Sequence, residues 1–150
     1  MKPLSYVRLL CFCVCALSGQ IGYGQFLYWI DGDFAAPKFG KSDLTGGSQS
    51  TVALTASSMP QGLALDAVNN KLYFTELAYT SAKVRSAIPN LTGIASIDTG
   101  GSVIRGVAVD GVAGKLYWTT SNLVTGAKIF KSNLDGSSKQ TLYSFTAGSG

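Results

Sequence analysis

The chain has 150 residues, 46% of them hydrophobic and 13% charged, a balance that fits a packed globular protein and argues against disorder. Eighteen glycines against two methionines suit a strand-and-turn protein better than a helical bundle. The formal net charge of +4 comes from scattered residues with no basic run, so nucleic acid is not an expected partner.

The first residues read as an export signal. Lys2 and Arg8 precede an apolar core of nine residues, Leu9 to Leu17 (LLCFCVCAL), and small residues follow at Ser18, Gly19, Gly22 and Gly24. The expected signal covers residues 1–24, released after Ser18 (Ala16 at −3) or after Gly24 (Gly22 at −3). Nine residues are too few to cross a bilayer, which takes about 20 in a helix, so no membrane span is expected. The protein is therefore expected to be secreted, periplasmic or on the cell surface. Past Gly24, ten Lys/Arg stand against eight Asp/Glu, leaving +2. Cys11, Cys13 and Cys15 all lie in the apolar core. With no histidine in the chain and no second cysteine cluster, they read as small hydrophobes, and no metal or cofactor is expected.

After the signal the chain repeats itself. FLYWIDGDF starts at Phe26, NKLYFTELA at Asn70 and GKLYWTTSN at Gly114, with Leu27, Leu72 and Leu116 spaced 45 and 44 apart. Gly62-Leu-Ala-Leu-Asp66 matches Gly106-Val-Ala-Val-Asp110, and KFGKSDLTGGS from Lys38 matches KIFKSNLDGSS from Lys128 at an offset of 90. Self-similarity at such a period marks a repeat architecture. One domain over 25–150 is expected, with repeats at about 26–59, 60–102 and 103–146.

Each unit divides into four short runs. In the third they are Val103–Asp110, Lys115–Thr120, Ala127–Leu134 and Lys139–Phe145, rich in Val, Ile, Tyr, Phe and Thr and bounded by Gly, Asn, Asp and Ser. The loops between them are hairpin-short, and Asp135-Gly136 is strong turn chemistry. Four antiparallel strands in each repeat of this length predict an all-β fold of β-propeller blades. The first runs carry small residues, Gly62, Ala64, Gly106 and Ala108, as strands crowding near a central axis must. The second runs are apolar almost continuously, as when neighbouring sheets cover both faces. Once the signal is gone, the first unit begins at its second strand. The expectation is eleven strands in about three blades, an incomplete propeller whose open edges call for further blades or self-association.

The pattern G-x-A-x-D, then K-L-Y-W-T-acid, then I-x-x-polar-x-L-D-G resembles the YWTD repeat, also called the low-density lipoprotein receptor class B repeat. GVAVDGVAGKLYWTT followed by KIFKSNLDGSS carries the resemblance most fully, and it extends over about Phe26 to Phe145. It implies a six-bladed, commonly extracellular propeller that binds protein or other ligands on one rim. The matching motif residues are Tyr28, Trp29 and Asp31; Tyr73, Phe74, Thr75 and Glu76; and Tyr117, Trp118 and Thr119. The resemblance also implies that Asp31 and Glu76 fasten blades by hydrogen bonding. Phe74 replaces Trp, Thr120 replaces the acid, and the cysteine-rich modules of the receptors are absent, so a receptor role does not come with the fold.

Asp31, Glu76, Asp66 and Asp110 form the one carboxylate set to weigh for metal or acid–base chemistry. Asp66 and Asp110 stand where a strand enters a four-residue loop, which suits a turn cap. Asp31-Gly-Asp33 lacks the ligand count of a calcium loop. No histidine, mature cysteine or G-x-S-x-G elbow supplies a catalytic base or nucleophile. Asn90-Leu91-Thr92 is a glycosylation sequon that matters only in a eukaryotic secretory pathway. The candidate ligand contacts are Phe34, Tyr79 and Asn122 in loops after second strands, and Arg105 just before an inner strand. The leading reading is an exported, non-catalytic binding or scaffold module whose partner is a protein or other extracellular ligand. The alternatives are a carboxylate-dependent lyase or hydrolase of the wider propeller class, or a fragment without independent function.

Overall fold

A computed structural model of the chain describes residues 10–13, 26–33, 35–54, 58–78, 82–98, 103–122 and 126–146. Twelve strands among these residues form three four-stranded antiparallel sheets, each a meander in chain order. The first holds β1 (Leu10–Cys13), β2 (Phe26–Asp31), β3 (Lys38–Asp43) and β4 (Ser50–Ala53). The second holds β5 (Ser58–Asp66), β6 (Lys71–Ala78), β7 (Ala82–Ala87) and β8 (Ala95–Asp98). The third holds β9 (Val103–Asp110), β10 (Lys115–Ser121), β11 (Lys128–Asn133) and β12 (Gln140–Ser144). Leu27, Leu72 and Leu116 occupy like positions on the second strands, paired with Ser42, Ala87 and Ser132.

The first sheet adds one strand to the eleven expected. Residues 26–54 supply three strands, as read from the sequence, and Leu10–Cys13 pairs antiparallel with β2 in the inner position. This segment comes from the apolar core assigned to the export signal. An uncovered inner edge of β2 would leave N–H and C=O groups without partners, and an extended apolar segment of the same chain satisfies them. Release after Ser18 or Gly24 would remove that strand.

The repeat copies backbone conformation as well as sequence. Gly46 and Gly136 both have positive φ (83° and 87°), as do Ser48 and Ser138 two residues on. In the two turns Gly46 N–H donates to Asp43 C=O at 3.1 Å and Gly136 N–H to Asn133 C=O at 3.0 Å. Asp43 and Asp135 then cap these turns, each accepting from a hydroxyl at 2.6 Å, Thr45 and Ser137 respectively. Those hydroxyl bonds hold both carboxyls below the ordinary 3.8.

The sheets stack side by side with their inner strands adjacent. Between the first and second lie Tyr28, Ile30, Phe39, Leu72 and Phe74, with the Phe39 and Phe74 rings 5.3 Å apart. Between the second and third lie Tyr73, Val84, Ile104, Leu116 and Trp118. Strand β6 thus sends Leu72 and Phe74 one way and Tyr73 the other, and residues 72–76 are all buried. Near the axis the backbones nearly touch: a Cβ at Gly62 would lie 2.9 Å from Arg105 C=O and 3.1 Å from Val107 N.

Two outcomes follow from this packing. Gly62→Val forces β5 away from β9 and should cost about 1–3 kcal/mol in urea unfolding. The turn aspartates set an acid limb. With folded values below 3.8, the folded state binds fewer protons than the unfolded chain as pH falls through that window, so stability drops there. Unfolding midpoints measured from about pH 5 to 2 should fall less steeply in the Asp43→Asn/Asp135→Asn variant.

Candidate functional site

Because successive strands alternate in direction, the last residues of β2, β6 and β10 and the starts of β5 and β9 gather at one end of the three sheets. Hairpin turns β5–β6 and β9–β10 gather at the other. The first end, the rim, carries Arg105 and Asn122 of the candidate ligand residues.

At the rim the first blade's acids are spent on their own loop. Asp31 Oδ1 accepts from Asp33 N–H at 3.1 Å, and Asp33 Oδ1 from Ala35 N–H at 3.0 Å. Arg105 is exposed and donates to Gln61 Oε1 at 2.8 Å, joining equivalent positions of neighbouring inner strands. Asn122 is half-buried, and its carbonyl closes the β10–β11 loop by accepting from Gly126 N–H at 2.9 Å. Phe34 and Tyr79 lie outside the described residues.

Glu76 is buried at the rim end of β6. It accepts from Ser58 Oγ at 2.7 Å and from Arg85 Nη1 at 2.7 Å, both in its own sheet. It therefore ties strands β5, β6 and β7 together, and Asp31 bonds locally. This differs from the blade-fastening role that the resemblance implied for the two acids. The hydrogen bond between blades is made by the residue before: Thr75 Oγ1 accepts from Gly62 N–H at 2.8 Å and donates to Arg105 C=O of the next blade at 2.8 Å. A hydroxyl suits this position because it donates and accepts at once, where a carboxylate only accepts.

At the opposite end Asp66 is buried and holds its turn. Oδ1 accepts from Val68 and Asn69 N–H at 3.1 and 2.9 Å, and Oδ2 accepts from Asn69 Nδ2 at 2.8 Å. The same Asn69 amide reaches Gly111 C=O of the next blade at 3.1 Å, and a Cβ at Gly111 would run into the Asp66 carboxylate. Asp110 accepts from Ala113 N–H at 2.9 Å. The four carboxylates thus sit at separate places, and among the described residues no group of three His, Cys, Asp or Glu could hold a metal. No helix among the described residues is long and apolar enough to cross a membrane.

Of the motif side chains on the second strands, Tyr28 and Phe74 fill one core and Tyr73 and Trp118 the other. Trp118 stacks on Phe130 at 5.6 Å, Tyr28 donates to Pro89 C=O at 3.3 Å across the blades, and Trp29 lies over Gly40. Tyr73 is buried, which raises its hydroxyl above the ordinary 10.0, and the Asp66 charge adds to the rise. Tyr117 and Thr119 face away from the core of the third blade. Sequence reasoning missed Ser58, Gln61 and Arg85. Arg85 falls in the most degraded repeat copy, opposite Phe74, where the other units place Gly40 and Phe130; a lone cation there in the unit that also carries Glu76 was the available signal.

No family model matches the chain, and no curated protein sequence matches it. Solved structures do. The structure of a nidogen/laminin complex matches with a TM-score of 0.70 at 28% identity, over 81% of this chain and 44% of that one. A structure from a study of two prolyl endopeptidases matches with a TM-score of 0.63 at 12% identity, over 94% of this chain and 20% of that one, and shares the fold alone. The chain spans less than half the length of either match. Stacked four-stranded meanders together with these matches define an all-β protein of incomplete β-propeller blades.

The inter-blade hydroxyl and the buried ion pair separate in their effects. Thr75→Val leaves Gly62 N–H and Arg105 C=O without their partner and should cost about 1–3 kcal/mol. Glu76→Ala strands the Arg85 guanidinium and should cost about 3–5 kcal/mol. Denaturant midpoints of the two variants read the difference.

Proposed function

We propose that the chain is an exported, non-catalytic module of YWTD-type blades that recognises a protein on its rim. The observation that carries this reading is the 28% identical match to a structure of nidogen in complex with laminin. The three spaced copies of the motif in this chain support it. The rim also presents Asp33 and Arg105 to solvent, whereas Glu76 and Thr75 below them are used up in holding the sheets. Loops on a rigid stack of sheets are where recognition concentrates.

The carboxylates of Asp66, Glu76 and Asp110 are bonded to turn backbone or to Arg85, which supports the scaffold reading of these three acids.

A photo-crosslinking residue placed at 33, 105 or 122, and separately at exposed Val112 on the opposite end, tests the reading. The probes are laminin and the extracellular proteins of the source cells. Discrete protein adducts are expected from the rim positions and not from 112. Equal labelling at both ends, or none at the rim, would overturn it.

A further inference from the structure

The hairpin turns after β3, β7 and β11 share one backbone conformation. Gly46, Leu91 and Gly136 have positive φ (83°, 67° and 87°), and so do Ser48, Gly93 and Ser138 two residues on. In each turn the N–H of the first of these donates to the C=O three residues back, Leu91 to Ile88 at 2.8 Å in the middle copy. Asn90 therefore stands where the third sheet has Asp135, and Thr92 where it has Ser137. The two side chains cap their turns alike. Asp135 Oδ1 accepts from Ser137 N–H at 2.9 Å and from its hydroxyl at 2.6 Å, and Asn90 Oδ1 accepts from Thr92 N–H at 3.1 Å and from its hydroxyl at 2.7 Å. A carboxylate fills that role as well as an amide does. Turn capping thus accounts for Oδ1 and for Thr92 but not for the second polar atom of Asn90. Asn90 Nδ2 has no hydrogen-bond partner among the described residues.

The turn is held from inside and presents that nitrogen outside. Leu91 takes a left-handed φ where the other two turns have glycine, and its side chain is buried in the core between the first and second sheets. That burial offsets a conformation that residues with a Cβ rarely adopt. Tyr28 anchors the preceding stretch by donating across the blades to Pro89 C=O at 3.3 Å. Asn90 and Thr92, on either side of the buried leucine, are both exposed. Asn90-Leu91-Thr92 is also the one Asn-x-Ser/Thr triplet in the 150 residues, the acceptor pattern for N-linked sugar.

From this we infer that Asn90 Nδ2 carries an N-linked oligosaccharide. The co-reactant is a lipid-linked oligosaccharide pyrophosphate. Nδ2 forms a bond to C1 of the first sugar, and the C1–O bond to pyrophosphate breaks. The electron pair of that bond leaves with the lipid pyrophosphate, and one of the two Nδ2 protons passes to a base. Oδ1 keeps its bonds to Thr92, so the turn does not have to be rebuilt around the sugar. The β7–β8 turn lies at the end away from the rim, so the sugar leaves Arg105 and Asn122 clear. The inference rests on the export reading, because such a donor is met on an export route, and it uses no residue before Phe26. The turn and the side chains that hold it remain after release of residues 1–24.

The test takes the full chain from its source cells and follows the tryptic peptide Ser86–Arg105, with and without peptide N-glycosidase in heavy-oxygen water. The enzyme should convert residue 90 to aspartate carrying the heavy oxygen and release the sugar. Thr92→Ala and Asn90→Asp should each lose the sugar, and Thr92→Ser, which keeps the hydroxyl, should retain it. Asn90→Asp copies Asp135 and should keep the parent's strand content by circular dichroism. An exported chain in which this peptide is bare would overturn the inference and leave the export reading standing. A chain confined to the cytoplasm would overturn both. A sugar that survives Thr92→Ala is attached by other chemistry and would also overturn the inference.

Discussion

The close approach of one inner strand to the next is the constraint on which the structure depends. Gly62 faces the backbone of Arg105 to Val107 with no room for a side chain. That proximity brings the Thr75 hydroxyl within hydrogen-bonding reach of Arg105 C=O at 2.8 Å. It also sets the spacing at which Tyr73 and Val84 meet Leu116 and Trp118. A bulkier residue at 62 would open all three contacts together, because they lie in the same wedge between two sheets. The hydrophobic area farther from the axis stabilises the stack, but the glycine determines that the sheets can converge.

The same motif has three different fates, and neighbours decide them. In β6 both faces are covered and Leu72 through Glu76 are buried. In β2 the buried residues are Tyr28 and Ile30, and in β10 they are Leu116, Trp118 and Thr120, the opposite phase. The end blades are thus each half of the middle one. Ile30 stands where the other units have Thr75 and Thr119, so the first junction is sealed by an apolar side chain and the second by a bridging hydroxyl.

Much of the fold was legible because repetition fixes register. Leu27, Leu72 and Leu116 had to share a position, and small residues at Gly62 and Gly106 pointed to a crowded axis. Side-chain partners were less legible. The acid at 76 was readable as a structural group, yet its partner Arg85 lies nine residues away in the copy that diverges most. Thr75 was visible as a motif member, but its double bond to Gly62 and Arg105 depends on an approach of two strands 30 residues apart, which no local pattern encodes. Phe34 and Tyr79 stand out in the sequence as aromatic residues in polar loops, a property of composition that carries no information about where a loop points.

The inner strand of the first blade poses two demands on one segment. Leu10–Cys13 belongs to an apolar core suited to export, and it also completes the sheet by pairing with β2. The apolar junction between the first two sheets takes Tyr28, Ile30 and Phe39 from β2 and β3 and Leu54 from just after β4. A cleavage that removed β1 would expose the edge of β2 it pairs with and would take away its approach to β5. The far face of the first blade is likewise made by β2 and β3, through Leu27 and Trp29 lying over Gly40. One segment thus carries two demands that exclude each other, since cleavage as an export signal would strip away the backbone edge that it satisfies in the sheet.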